Sequence, residues 1–198
     1  QQPFFGKHIL LTANDAWTLL LWYRFMKEKE LHQGKIPNAE KKYITFTHVT
    51  TDVLEKVANL FGIKSLGQML DKEDKEAGHY LNGKRTFVGF SLIADFVNKM
   101  RKLGLINVGG AEESNGFSIL GGLIKEGDVL SEDGHVNDKD GTFAAILLAE
   151  VACYAKSKGT TLFDIFCTCP SANPRRLSHL IAAGLSASQV ATTSRMPL

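Results

Sequence analysis

Two acids and a hydroxyl, Glu112, Glu113 and Ser114, stand side by side between a glycine pair, Gly109-Gly110, and an Asn115-Gly116 step. Leu103, Leu105, Ile106 and Val108 precede them as an apolar run that reads as a buried strand. Glycines and Asn-Gly steps favour sharp turns. The backbone is therefore expected to turn at both, leaving the three polar side chains at the end of a strand. In open α/β sheets such ends are where ligands are held. A carboxylate only accepts hydrogen bonds, whereas a serine hydroxyl donates and accepts. The trio suits a polyhydroxylated ligand such as a sugar, with Gly110 and Gly116 as its backbone neighbours.

A second polar group, Asn137-Asp138-Lys139-Asp140-Gly141, opens a stretch in which Ala144, Leu147, Leu148 and Val151 form a helical apolar stripe. Asp140 is favourably placed for the macrodipole of that helix. A lysine at such a turn can hold a phosphate as a point charge, or move a proton if its pKa is lowered. His135, slightly upstream, is a second candidate for that work. Asp128, Glu132 and Asp133 surround it in sequence, but without the spacing of a helical metal-ligand pair. The mixed run Asp71-Lys72-Glu73-Asp74-Lys75-Glu76 lacks the glycine of a calcium loop and reads as a solvated excursion. No metal ligand is assigned.

The order of these segments carries a resemblance. Gly110-Ala111-Glu112-Glu113-Ser114-Asn115-Gly116, followed by Asn137-Asp138-Lys139-Asp140-Gly141 and a helix, resembles the third domain of the α-D-phosphohexomutases, in the phosphoglucomutase-type branch. The likeness runs over about residues 9–166. It implies an intramolecular phosphotransferase, an isomerase that interconverts hexose 1-phosphate and hexose 6-phosphate through a hexose bisphosphate. It implies that Glu112 and Ser114 hold sugar hydroxyls, with Gly110, Glu113, Gly116 and His135 also at the substrate. Lys139 is then the catalytic residue, approaching phosphate or serving as acid/base. Such enzymes have four domains around a cleft. The phosphoserine, the magnesium-binding aspartate loop and the Arg-x-Ser-Gly-Thr phosphate grip of the other domains do not occur here. The expectation is therefore a sugar-recognition fragment, inactive alone, with the other domains as partners. No cofactor would be bound by the fragment, and Mg2+ is expected in the full-length enzyme. Where relatives carry a basic residue after a Thr-Gly-Phe-like turn, this chain has Val88-Gly89-Phe90-Ser91.

The elements that must position these residues can be outlined from periodicity. A short strand over residues 8–11 leads into Thr12, Asn14 and Asp15, cap-forming residues for a helix to about Glu30. Trp17 and Trp22 are expected to pack within it. Residues 43–47 read as a strand. Thr50-Thr51-Asp52 caps a helix that Gly62 ends. A strand over residues 86–90, a helix over 91–102, a returning strand over 118–122, the helix opened by Asp140 and a last helix over 160–166 complete the outline. The fold expected is a three-layer α/β/α sandwich with a mixed sheet. Residues 1–166 form the domain and 167–198 an irregular C-terminal extension.

Composition narrows the alternatives. The 198 residues are 44% hydrophobic and 22% charged, with a formal charge of +2. Basic residues are scattered, so no nucleic-acid or membrane partner is expected. No signal peptide or spanning segment is present. Three cysteines (Cys153, Cys167, Cys169) make no disulfide framework, which points to reduced thiols and a cytoplasmic setting. A start at Gln1 rather than Met reads as a trimmed chain. Two other functions remain open: a small metal-dependent hydrolase using Glu112, Glu113, Asp138 and Asp140, and a non-catalytic module that meets a protein through residues 167–198.

Overall fold

A computed structural model describes residues 4–5, 8–70, 81–82 and 85–168. In chain order the elements are β1 (Phe4–Phe5), β2 (His8–Ile9), α1 (Ala13–Leu31), β3 (Lys42–Phe46), α2 (Val53–Leu60), β4 (Lys64–Ser65), α3 (Leu66–Met69), β5 (Leu81–Asn82) and β6 (Arg85–Thr86). There follow α4 (Phe90–Arg101), β7 (Ile106–Glu112), β8 (Gly116–Ser118), α5 (Gly141–Ser157) and α6 (Leu162–Thr168). The acidic run at 71–76 and residues 169–198, Cys169 and most of the expected extension among them, lie outside the described residues.

The central sheet has the order β4-β3-β7-β8. β3 is parallel to β4 and β7, while β8 returns antiparallel to β7, so the sheet is mixed. One face packs against α1, α2, α5 and α6 through Leu21, Phe25, Val57, Val151 and Ile44. The other face packs against α3 and α4 through Tyr43, Leu66, Ile93 and Val97. The architecture is the three-layer α/β/α sandwich. Helix α1 is buried all round from Ala16 to Tyr23 and apolar there except for Thr18, because it lies in the main core with α2 and α5 beside it. Trp17 and Trp22 are both buried in it.

Three local expectations need correction. The glycine pair does not turn the chain: Gly109 and Gly110 lie inside β7, paired with Ile44 and Thr45. They are glycines because neighbours come too close for a side chain. A Cβ at Gly109 would lie 2.6 Å from Leu21 Cδ2, and one at Gly110 would lie 2.7 Å from Leu120 Cδ1. The turn comes only at Glu113, Ser114 and Asn115, where Asn115 takes a left-handed φ of +68°. Secondly, the strand expected over residues 86–90 shrinks to the β5–β6 hairpin, with Thr86 bridging to Thr47. Gly89, at φ +120°, instead starts α4. The returning strand is likewise Gly116–Ser118, with Gly121 contributing a bridge to Asn107.

Candidate functional site at the carboxyl edge of the sheet

Strands β3 and β7 both end at one edge, and α1, α2, α4 and α5 all begin there. Their unpaired N–H groups and dipoles give that edge a positive bias. The β7–β8 turn sits at its centre, held by bonds from three directions. Trp17 Nε1, in the second turn of α1, donates to Glu112 O at 2.9 Å. Glu113 N donates to Thr50 Oγ1 at 3.2 Å in the loop after β3. Gly89 N, at the start of α4, donates to Glu112 Oε1 at 2.7 Å.

The three polar residues of the turn therefore have different surroundings. Glu112 is 5% exposed, and its carboxylate serves as an anchor at the N-terminus of α4. Its second oxygen, Oε2, lies over Gly116, where a Cβ would come within 3.2 Å of it and 2.9 Å of Phe90. Glu113 is half-buried, and its Oε2 is buried without a hydrogen-bond partner among the described residues. A carboxylate oxygen left in that state costs free energy that a ligand donor would recover. Ser114 is exposed at the tip. Gly110 is buried under α4, so it shapes the strand beneath the turn.

The 138–141 turn is brought to the same edge. Asp140 N donates to Phe117 O of β8 at 2.8 Å, and Ser118 Oγ donates to Val136 O at 3.2 Å. Asp140 Oδ1 caps α5 by accepting from Phe143 N at 2.8 Å. Lys139 is exposed, its own amide donating to Asp138 Oδ1 at 2.7 Å. His135 stacks on Phe143 with ring centroids 4.1 Å apart, and its Nδ1 lies 3.3 Å from Asp140 Oδ2. That contact aims the imidazole at the cap of α5. Glu112, Glu113, Ser114, Gly116, His135 and Lys139 thus share one edge. Among the described residues, no three His, Cys, Asp or Glu side chains are grouped to hold a metal ion.

The loop after β3 belongs to this edge and carries residues the sequence reading left out. Thr47 Oγ1 and Thr50 Oγ1 are 2.7 Å apart, and Thr51 N donates to Asn14 Oδ1 at 3.2 Å. His48 has a buried Nδ1 without a partner among the described residues, and its ring meets Phe87 edge-on at 6.0 Å. Arg85 forms an ion pair with Asp52. The available signal was a polar run, Thr47-His48-Val49-Thr50-Thr51-Asp52, directly after a strand.

The chain is 26% identical to a phosphomannomutase of Mycoplasma pneumoniae over 155 residues. That is a similarity to a phosphosugar mutase. The match covers 78% of this chain but 21% of that relative, so the chain spans about a fifth of its length. A crystal structure from Thermus thermophilus, of a protein assigned as a phosphomannomutase, aligns with a TM-score of 0.49 at 18% identity. That alignment covers 81% of this chain and 25% of that one. No family model matches the chain.

Proposed function

We propose that this chain is the sugar-recognition part of a phosphoglucomutase/phosphomannomutase-type enzyme, equivalent to the third of four domains. One observation carries the reading. The Glu112–Gly116 turn and the Asp138–Gly141 turn meet at the carboxyl edge through the Asp140–Phe117 bond, in the order expected of such a domain. The similarity to a phosphomannomutase supports it.

In this reading Ser114 and the free oxygens of Glu112 and Glu113 take the hydroxyls between the two phosphate positions of a hexose bisphosphate. A mutase binds its intermediate in two orientations, so contacts to hydroxyls that look alike after the ring is flipped serve both. The turn orients, and truncating it lowers positioning rather than chemistry. Lys139, exposed beside the turn, reaches for a phosphate or the reacting oxygen. In this reading the magnesium ion of the complete enzyme would be held by another domain, and this chain alone would be inactive.

The test is an amide NMR titration of this chain with glucose 1,6-bisphosphate. Saturable shifts confined to residues 110–116 and 138–141 are expected. Shifts centred elsewhere would overturn the choice of site.

A further inference from the structure

The opposite, amino edge of the sheet holds a cavity of about 350 Å3. Arg24 and Glu28 line it from α1, with His32 at the C-cap that follows, four residues apart and so on one side of the helix. Asn38, Lys42 and Asp133 complete its lining from the loop before β3, from β3 itself and from the loop before α5, and it opens to solvent beside the exposed His32, Asn38 and Asp133. It lies at the far end of α1 from the carboxyl-edge site and shares no residue with it.

Arg24 is there partly for a structural reason. The pairing of β3 with β7 passes from Tyr43↔Asn107 to Ile44↔Gly109, so Val108 is an extra residue in β7. A bulge of this kind leaves a backbone group outside the ladder. Arg24 Nη1 donates to Val108 O at 2.8 Å. That is one hydrogen bond from a guanidinium with five N–H donors. Burial disfavours the charge, and the carboxylates of Glu28 and Asp133 oppose that loss.

Those two carboxylates are not equivalent. Glu28 is committed to an ion pair with Lys42. Asp133 belongs to the same cavity but makes no ion pair with Arg24 among the described residues. The ionised lining residues balance, Arg24 and Lys42 against Glu28 and Asp133, so a net anion or a net cation is not favoured. What remains is the half-buried Arg24 guanidinium, with N–H groups beyond its bond to Val108 O, and the exposed carboxylate of Asp133 on the lining of the same cavity. Left-handed backbone gathers there too. Of the four described non-glycine residues with left-handed φ, Asn38 and Asp133 line the cavity and Gln33 adjoins His32. Asn and Asp tolerate this conformation, so the turns that shape the lining form at little cost.

We propose that this cavity is a binding site for a small zwitterion, its carboxylate taken by Arg24 and its ammonium by Asp133. Charge complementarity sets the selectivity: a ligand bearing both signs satisfies both groups, and either half alone leaves one of them unmet.

The experiment is an amide NMR titration of the full chain with β-alanine and 4-aminobutyrate, alongside sodium acetate and methylammonium chloride as the separate halves. Saturable shifts at Arg24, Asn38 and Asp133 are expected, with one of the zwitterions binding at least about tenfold more tightly than either half. Asp133→Asn, which keeps a residue tolerant of left-handed φ, should reduce that zwitterion to the acetate level. Arg24→Gln, where circular dichroism shows it folded, should abolish binding. Acetate binding as tightly as the zwitterions, no saturable shift with either zwitterion, or an unaffected Asp133→Asn variant would each overturn the proposal.

Discussion

At Glu112 one carboxylate oxygen is committed to the Gly89 amide and the other lies over Gly116. The residue joins structure to the proposed recognition, whereas the exposed Ser114 has only the latter role. In a complete enzyme, Ser114→Ala should cost on the order of 1–3 kcal/mol in transition-state stabilisation, with folding unchanged. Glu112→Gln should cost a similar amount there and also loosen the start of α4. Steady-state kinetics with thermal melts separate the two effects, and unchanged kinetics in both variants would remove the turn from the site. Gly110 is a purely structural case. A methyl there meets Leu120, Ile93 and Phe90 together, at 2.7, 3.3 and 3.4 Å. Gly110→Ala should lower stability by about 1–3 kcal/mol in urea denaturation. No loss would mean that the second core repacks freely.

At the scale of elements, helix starts are the best defined features. Thr12 caps α1, and Asp140 caps α5. Both were legible because cap chemistry is local: a side-chain oxygen reaches an amide two or three residues on. Helix α6 is held in the same way, with Asp164 N donating to Thr161 Oγ1 at 3.2 Å and Thr161 N donating to Asp164 Oδ2 at 3.0 Å. The hydrogen bonds from the Thr161 hydroxyl and backbone, and from Thr160, hold the Asp164 carboxyl below its ordinary value. A depressed folded-state pKa gives stability that is complete above the unfolded value and lost as pH falls through the folded one. The α6 cap should therefore weaken in acid, below about pH 4. Exchange protection of the Ile165 amide, which donates to Thr161 O, should fall relative to α5 on acidification. In Asp164→Asn this acid-specific loss should vanish; its persistence would assign the effect to another group.

At the scale of the whole molecule, the second core and the long loop before α5 are joined through Arg101. This residue is 5% exposed. Its guanidinium donates to Leu120 O, to Asn98 Oδ1 at 2.5 Å and to Asn137 Oδ1 at 3.0 Å. It thereby ties the end of α4 to the segment that leads to Lys139. Arg101→Leu should cost on the order of 2–3 kcal/mol and raise hydrogen exchange from residue 120 to the 138–141 turn. Unchanged exchange there would show that the bonds from Asp140 N to Phe117 O and from Ser118 Oγ to Val136 O suffice to hold the loop. Among the described residues no helix is long and apolar enough to cross a membrane.

The sequence by itself determined the alternation of strands and helices, the starts of α1 and α5, the fold class and the polar turn at 112–116. Each of these rests on contacts within a few residues, where periodicity and side-chain type are sufficient. Tertiary structure alone decided that Gly109 and Gly110 are packing positions within a strand, since Leu21 of α1 crowds a Cβ at the first and Leu120, Ile93 and Phe90 crowd one at the second. It also decided that Glu112 anchors α4, that Thr50 and His48 join the carboxyl edge, and that Arg24 and Asp133 share a cavity at the other. Those partners lie tens of residues apart, and no local pattern encodes which distant group a buried donor or carboxylate will meet.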